Sequence, residues 1–218
     1  MQLSEFINKI PKPLDVNLSV EETLNAVEDT SFTHFPVLED SVFIGNVVLE
    51  DLETYTLNKN LLDYKYNFEP FFVKEDTTWM DVLEIFAQNK SNITPVLNAN
   101  SQYLGFYDLE DVMNFFTETP FVREQGAVII VKKSNKDYSM AQICQIVESN
   151  NAKILGVFIS NFNSNEVEVT VKITVSSLNP IIQSFRRYNY DIVSEHPDDN
   201  YLQNLKERSD YLEKYLNI

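Results

Sequence analysis

Two carboxylate pairs, Glu50-Asp51 and Glu110-Asp111, each close the same short phrase. The first copy reads Ile44-Gly45-Asn46-Val47-Val48-Leu49-Glu50-Asp51, and sixty residues later stands Leu104-Gly105-Phe106-Tyr107-Asp108-Leu109-Glu110-Asp111. The chain has only four glycines, and two of them serve this phrase, so it marks a repeated unit and a repeated candidate site. Three kinds of chemistry suit a carboxylate there. It can accept two hydrogen bonds from a pair of neighbouring donors. It can sit at the positive end of a helix. With Asp108 three residues before Asp111, it can also offer oxygen ligands to a divalent cation such as magnesium or calcium, provided the helix has begun by Asp108. The residues alone leave all three roles open.

The elements that would position these carboxylates also recur. Leu24 to Pro36 and Leu83 to Pro95 have the same separation, and the offset between copies grows from 59 to 60 before the glycines, so one residue is inserted in the connecting loop. Ser19 and Thr78 each precede a stretch with apolar residues at helical spacing: Val20, Leu24 and Val27, then Trp79, Val82, Leu83 and Phe86. A short strand with Pro-Val follows, Phe35-Pro36-Val37 and Thr94-Pro95-Val96, then a turn, a strand through the glycine, and a helix opened by the acidic pair. Each copy is therefore expected to be a strand–helix–strand–strand–helix unit. Paired copies can bury apolar strand faces that a single copy would leave open.

The pattern changes after Pro120. Ala127 to Val131 reads as a strand, Ser139 to Ser149 as a helix through Met140, Ile143, Ile146 and Val147, and Lys153 to Ile159 as a strand. The alternating run Glu166 to Val175 forms another strand, Asn179 to Tyr188 a helix, and Tyr190 to Val193 a closing strand. The order βαββαβ predicts a ferredoxin-like sheet covered on one face by two helices. The tail from Pro197 to Ile218 reads as one helix, capped by Asp198 or Asp199, with Leu202, Leu205, Leu212 and Leu216 along one stripe and Ser209 interrupting it. Two partners suit that stripe, the sheet of its own chain or a second subunit.

Residues 1–118 resemble a tandem pair of CBS domains, the Bateman module. The resemblance rests on His34-Phe35-Pro36-Val37 with Gly45 to Asp51, and on Ile93-Thr94-Pro95-Val96 with Gly105 to Asp111. The part that follows resembles an ACT domain by its element order, and the whole order resembles bacterial acetoin-utilisation B-type proteins. The fold class this implies is α+β: a CBS-domain pair, a ferredoxin-like βαββαβ (ACT-like) domain and a C-terminal helix. The expected domains are 1–60 and 61–118 for the two CBS copies, 119–125 for a linker, 126–196 for the ACT-like domain and 197–218 for the helix.

The resemblance implies a small ligand, an adenosyl compound with or without Mg, in the cleft between the copies. Asp51 and Asp111 would take its ribose, with Val48, Asp108, His34, Phe35, Ile93 and Thr94 as neighbouring cleft positions. The family pattern Gly-x-x-Thr/Ser-x-x-Asp places a phosphate-binding hydroxyl where this chain has Val48 and Asp108. The missing hydroxyl bond costs about 1 kcal/mol. The charge of Asp108 about 4 Å from a phosphate would cost roughly 4 kcal/mol per charge pair at an effective dielectric near 20. Repulsion dominates, so the ligand expected is a nucleoside or sulfonium compound with little negative charge, unless a metal ion intervenes. In the ACT-like half, the Lys132–Tyr138 segment lacks the glycine at which family members bring an amino acid to the backbone; it reads as a solvated loop, with attraction of an anion by Lys132, Lys133 and Lys136 as the alternative.

Composition narrows the partners. The net charge is −16, and residues 1–120 hold 21 Asp and Glu against 6 Lys and Arg. Such a surface repels nucleic acid and anionic membranes, and neither is an expected partner. No apolar run suits a membrane span and no secretion signal stands at the N-terminus, so cytoplasm is the expected location. The single cysteine, Cys144, excludes an internal disulfide, falls on the apolar side of its helix and is expected in the core. His34 and His196 lie far apart, no phosphate loop, nucleophile elbow or metal-ligand spacing stands out, and no metal site or catalytic residue is assigned. Trp79, Phe86 and Phe71-Phe72 read as core aromatics or as lining of the cleft. The expected function is non-catalytic regulation: a homodimer that senses a small-molecule effector and relays it, through Thr117–Gln125, to the ACT-like domain. The alternative is a ligand-free scaffold that dimerises and binds a protein target.

Overall fold

The structure is a computed structural model that describes residues 3–174, 177–194, 196 and 200–216, with the side chains of 200–207 outside the description. The chain divides into two compact units between Thr117 and Glu118.

The first unit contains the repeat. Its first copy runs β1 (Leu14–Asp15), α1 (Val20–Val27), β2 (His34–Glu39), β3 (Val42–Val48) and α2 (Leu49–Leu52). The second runs β4 (Val73–Lys74), α3 (Trp79–Asn89), β5 (Ile93–Leu97), β6 (Tyr103–Asp108) and α4 (Leu109–Thr117). Each copy forms a three-stranded sheet, ordered β1-β2-β3 and β4-β5-β6, with the first pair parallel and the second antiparallel. Caps start the long helices as expected. The Ser19 hydroxyl accepts from the Glu22 N–H while the Glu22 carboxylate accepts from the Ser19 N–H, a reciprocal capping box, and Thr78 accepts from Asp81. The inserted residue lies in the hairpin. In the first copy Asp40 and Ser41, at φ 49° and 69°, turn the chain between the paired residues Glu39 and Val42. In the second copy the longer Asn98–Gln102 loop does so, with Ser101 at φ 62°.

Equivalent residues of the two copies meet each other. The Thr33 N–H donates to Asn92 Oδ1 at 2.8 Å, and the Asn92 amide donates to the Ser31 carbonyl at 2.8 Å. Thr33 and Asn92 occupy the same position in their copies, as do Val42 and Gln102, which form a bridge. Contacts between identical positions mark a two-fold axis, here an internal pseudo-axis, and the copies face one another across it. Phe32 rests edge-on against Phe106 of the other copy, with centroids 5.4 Å apart.

The second unit opens with α5 (Pro120–Arg123), followed by β7 (Gly126–Ser134), α6 (Met140–Ser149), β8 (Ile154–Phe162), β9 (Glu166–Thr174), α7 (Leu178–Arg187), β10 (Asp191–Ile192) and α8 (Asn200–Leu216). The sheet order is β10-β7-β9-β8, all antiparallel, which is the ferredoxin-like arrangement. Ile143, Ile146 and Val147 of α6 and Ile181 and Phe185 of α7 share one core with Ile129, Val131, Val169 and Val171 of the sheet. The fold is thus α+β.

Three expectations need correction. Residues 119–125 are not bare linker, because α5 packs its Phe121 ring against Phe158, 5.7 Å between centroids, over Gly156. Strand β7 continues through Lys132 and Lys133 to Ser134, so those residues are not loop. Lys132 pairs with Glu166 at 3.2 Å, and Lys133 donates to the Tyr188 carbonyl and lies over the Tyr190 ring, which leaves neither free to attract an anion. Cys144 is half-buried rather than core. Of the two partners open to the tail, its own sheet is not the one met by 208–216: every described side chain of that stretch of α8 is exposed, and the sheet's helix-bearing face is filled by α6 and α7. The expected caps Asp198 and Asp199, and the side chains of Leu202 and Leu205, lie outside the described residues.

Candidate functional site

Strand alternation decides which of the singled-out residues can reach the space between the copies. In β2, Phe35 and Val37 point into the core of their own copy together with Val47, so His34 and Pro36 point the other way. In β5, Thr94 shares the face of Val96, which packs with Tyr107 in the second core, and Ile93 and Pro95 take the opposite face. Phe35 and Thr94 are therefore core residues and not cleft residues: neighbours on a strand cannot share a face. The Thr94 hydroxyl is buried without a hydrogen-bond partner.

The first copy's site has a cavity of about 420 Å³. His34, Val48 and Glu50 line it from the first copy, Glu69 from the connecting segment, and Asn89 and Lys90 from the end of α3. His34 is 4% exposed. Its Nε2 lies 3.2 Å from Glu69 Oε2, and its Nδ1 lies 2.7 Å from the Thr33 hydroxyl. Burial holds the imidazole below its ordinary pKa, against Glu69 and Asp51, which favour the protonated ring. A carboxylate only accepts, so the neutral ring carries its proton on Nε2, and Nδ1 accepts from Thr33. The Phe71 ring packs edge-on against His34, with 5.4 Å between ring centroids. Phe86 is core, Trp79 stacks on Phe116 outside the cleft, and Phe72 is exposed.

Asp51 lies in the first turn of α2, exposed, and its carboxylate makes no hydrogen bond among the described residues. Its counterpart differs. Asp111 Oδ2 accepts from the Asn8 side-chain amide at 2.6 Å. The helix-opening contact comes from Asp108 instead, whose Oδ1 accepts from the Glu110 N–H at 2.9 Å. Asp108 thus precedes α4 and does not share a helical face with Asp111, which removes the geometric condition for a shared cation. Among the described residues no cluster of three or more His, Cys, Asp or Glu is arranged to hold a metal.

Asn8 and Glu69 were not visible as site residues in the sequence. Both hold the same place under the pseudo-axis: Asn8 bridges Phe106 and Glu69 bridges Asn46, each pairing with the residue after the repeated glycine. Gly45, at φ +142°, and Gly105, at φ +151°, let those segments approach. A Cβ on Gly45 would stand 2.8 Å from Phe68 Cβ, and one on Gly105 would collide with the Asn8 carbonyl oxygen and Ile7 Cγ2. Asn46 holds the connecting segment further, with its side-chain amide donating to the carbonyls of Glu69 and Phe71. The consequence is chemical asymmetry. One site carries a carboxylate, a buried imidazole and an unbonded Asp51. The other carries an amide already bonded to Asp111, with Ile93 and Asp108 where the first has His34 and Val48. His196, whose Nε2 lies 2.7 Å from the Ser194 hydroxyl, belongs to the second unit.

The comparisons with known proteins bear on this unit. Residues 66–118 match the family model of the CBS domain, so a CBS domain is present there. No curated protein matches the sequence. Among solved structures, a CBS domain pair/ACT domain protein from Thermotoga maritima is 21% identical, covers 54% of this chain and 98% of its own, and has a TM-score of 0.49. The CBS domains of a transcriptional regulator from Streptococcus pneumoniae are 19% identical over 52% of this chain and 98% of theirs, with a TM-score of 0.46. CBSX2 in complex with AMP is 17% identical over 54% of this chain and 96% of its own, with a TM-score of 0.42.

Proposed function

We propose that the chain is a non-catalytic regulatory protein in which the first copy's cleft binds an adenosyl compound of little negative charge. The observation that carries this reading is a cavity of about 420 Å³ lined by His34, Val48, Glu50 and Glu69, next in the chain to the exposed Asp51, whose carboxylate makes no hydrogen bond among the described residues. A ribose cis-diol donates two hydrogen bonds to a carboxylate, and a cavity of this size suits a nucleoside-sized ligand. Among the residues lining the cavity Glu50 and Glu69 outnumber Lys90, so a bare phosphate meets net repulsion, and a neutral nucleoside or a sulfonium does not. The second copy's carboxylate is engaged by Asn8, so one site per chain is open. Binding would act by population shift, because a ligand held between the copies favours one arrangement of them, and Thr117–Gln125 would relay it to the ACT-like domain in a homodimer. The resemblance in domain order to acetoin-utilisation proteins supplies the analogy for that relay.

The test is a thermal-shift panel of adenosine and AMP, each with and without magnesium. A ligand at about a hundred times its Kd adds roughly 2.7 kcal/mol of stability. Adenosine is expected to raise Tm without magnesium, AMP to do so less, and Asp51→Ala to abolish the shift. No shift with either compound would refute the sensor and leave the interaction scaffold.

A further inference from the structure

The C-terminal helix α8 spans 17 residues, Asn200–Leu216, about 25 Å at 1.5 Å per residue. Over 208–216 its side chains are exposed all round. Tyr211 is 68% exposed, Leu212 57%, Tyr215 68% and Leu216 79%. A helix bearing that much uncovered apolar surface costs free energy in water unless a partner covers it.

Its own sequence says what kind of partner fits. Ser209, Leu212 and Leu216 follow the alternating three- and four-residue spacing of a coiled-coil seam, and Leu202 and Leu205 continue that spacing upstream in the sequence. In that register Ser209 and Leu216 take the first core position of the heptad and Leu212 the second. Arg208 and Glu213 then flank the seam. When two copies of this helix lie parallel and in register, Arg208 of one meets Glu213 of the other, and symmetry makes the pair twice. Neither residue forms an ion pair among the described residues. Tyr215 extends the apolar edge beside Leu216. The surface is therefore complementary to itself in charge as well as in apolar pattern. A single polar residue at a core position, here Ser209, is the device that fixes register in such pairs at some cost in stability.

We propose that α8 is a dimerisation helix, pairing in parallel with α8 of a second copy of this chain through Ser209, Leu212 and Leu216.

Cysteine cross-linking of the full chain tests it. With the native thiol removed by Cys144→Ser, Ser209→Cys places one thiol per chain on the seam and Lys214→Cys places one on the outer face. Oxidised glutathione takes the two electrons and two protons of each thiol pair and leaves as two reduced glutathiones. Ser209→Cys is expected to form a disulfide-linked dimer at least tenfold faster than Lys214→Cys, and adding Leu212→Asp is expected to slow it at least tenfold. Equal rates at the two positions, no dimer from Ser209→Cys, or cross-linking indifferent to Leu212→Asp would each overturn the proposal.

Discussion

His34 is buried beside two acids, and burial outweighs their attraction for a proton. Its folded pKa lies below the ordinary value of about 6.5, so near pH 6 the unfolded chain binds more protons than the folded one. The stability contributed by the neutral ring is fully present above the unfolded value and is lost as pH falls from there through the folded value. Wild type should therefore lose more Tm between about pH 7.5 and about pH 5.5 than His34→Gln, whose amide does not titrate in that range. Equal losses in calorimetric scans would contradict the assignment. His34 lines the cavity, and its position two residues before the recurring Pro-Val singled it out in the sequence. Its partner Glu69 was not legible there, since no local pattern links positions 34 and 69. Phe35 and Thr94 were misplaced for a simpler reason: in a strand only one of two neighbours faces the cleft.

Each copy's elements are specified locally, and here sequence reading succeeds most fully. Ser19 with Glu22, and Thr78, announce their helices through hydroxyls that satisfy otherwise orphaned N–H groups. Ser19→Ala should cost about 1 kcal/mol, read as a lower urea midpoint with unchanged slope. The glycines say more than their spacing did. They mark where the chain's own segments, at Asn8 and at Phe68-Glu69, cross the second strand of each hairpin. Gly105→Ala should destabilise by about 1–3 kcal/mol and release Asn8 from Asp111. An alanine variant as stable as wild type would show that the crossing is not built as described. The crossing itself was illegible, since isolated bridges between distant segments leave no periodic trace. The βαββαβ order of the second half was legible from apolar alternation, whereas the extension of β7 through two lysines was not, because charged residues there are held by partners remote in sequence.

For the molecule as a whole, the net charge of −16 is carried almost entirely by the first 120 residues. Self-repulsion on that scale destabilises the compact state, and added salt screens it, with a Debye length of about 10 Å at 0.1 M falling to about 3 Å at 1 M. Raising sodium chloride across that range should raise Tm, and a flat or falling response would show that specific ion pairs dominate instead. The same charge favours the proposed ligand class, because a cavity lined by Glu50 and Glu69 tolerates a diol far better than a phosphate. Duplication was readable in the sequence, and so were the unlike pairs His34/Ile93 and Val48/Asp108; the part played by Asn8 and Glu69, which reach equivalent places from unlike segments, was not. The inequality of the two sites is the central claim. Titration calorimetry with adenosine on wild type, Asp51→Ala and Asp111→Ala measures it most directly. The expected result is one site per chain, lost in Asp51→Ala and kept in Asp111→Ala. Two sites per chain, or adenosine binding that survives Asp51→Ala and disappears in Asp111→Ala, would contradict it.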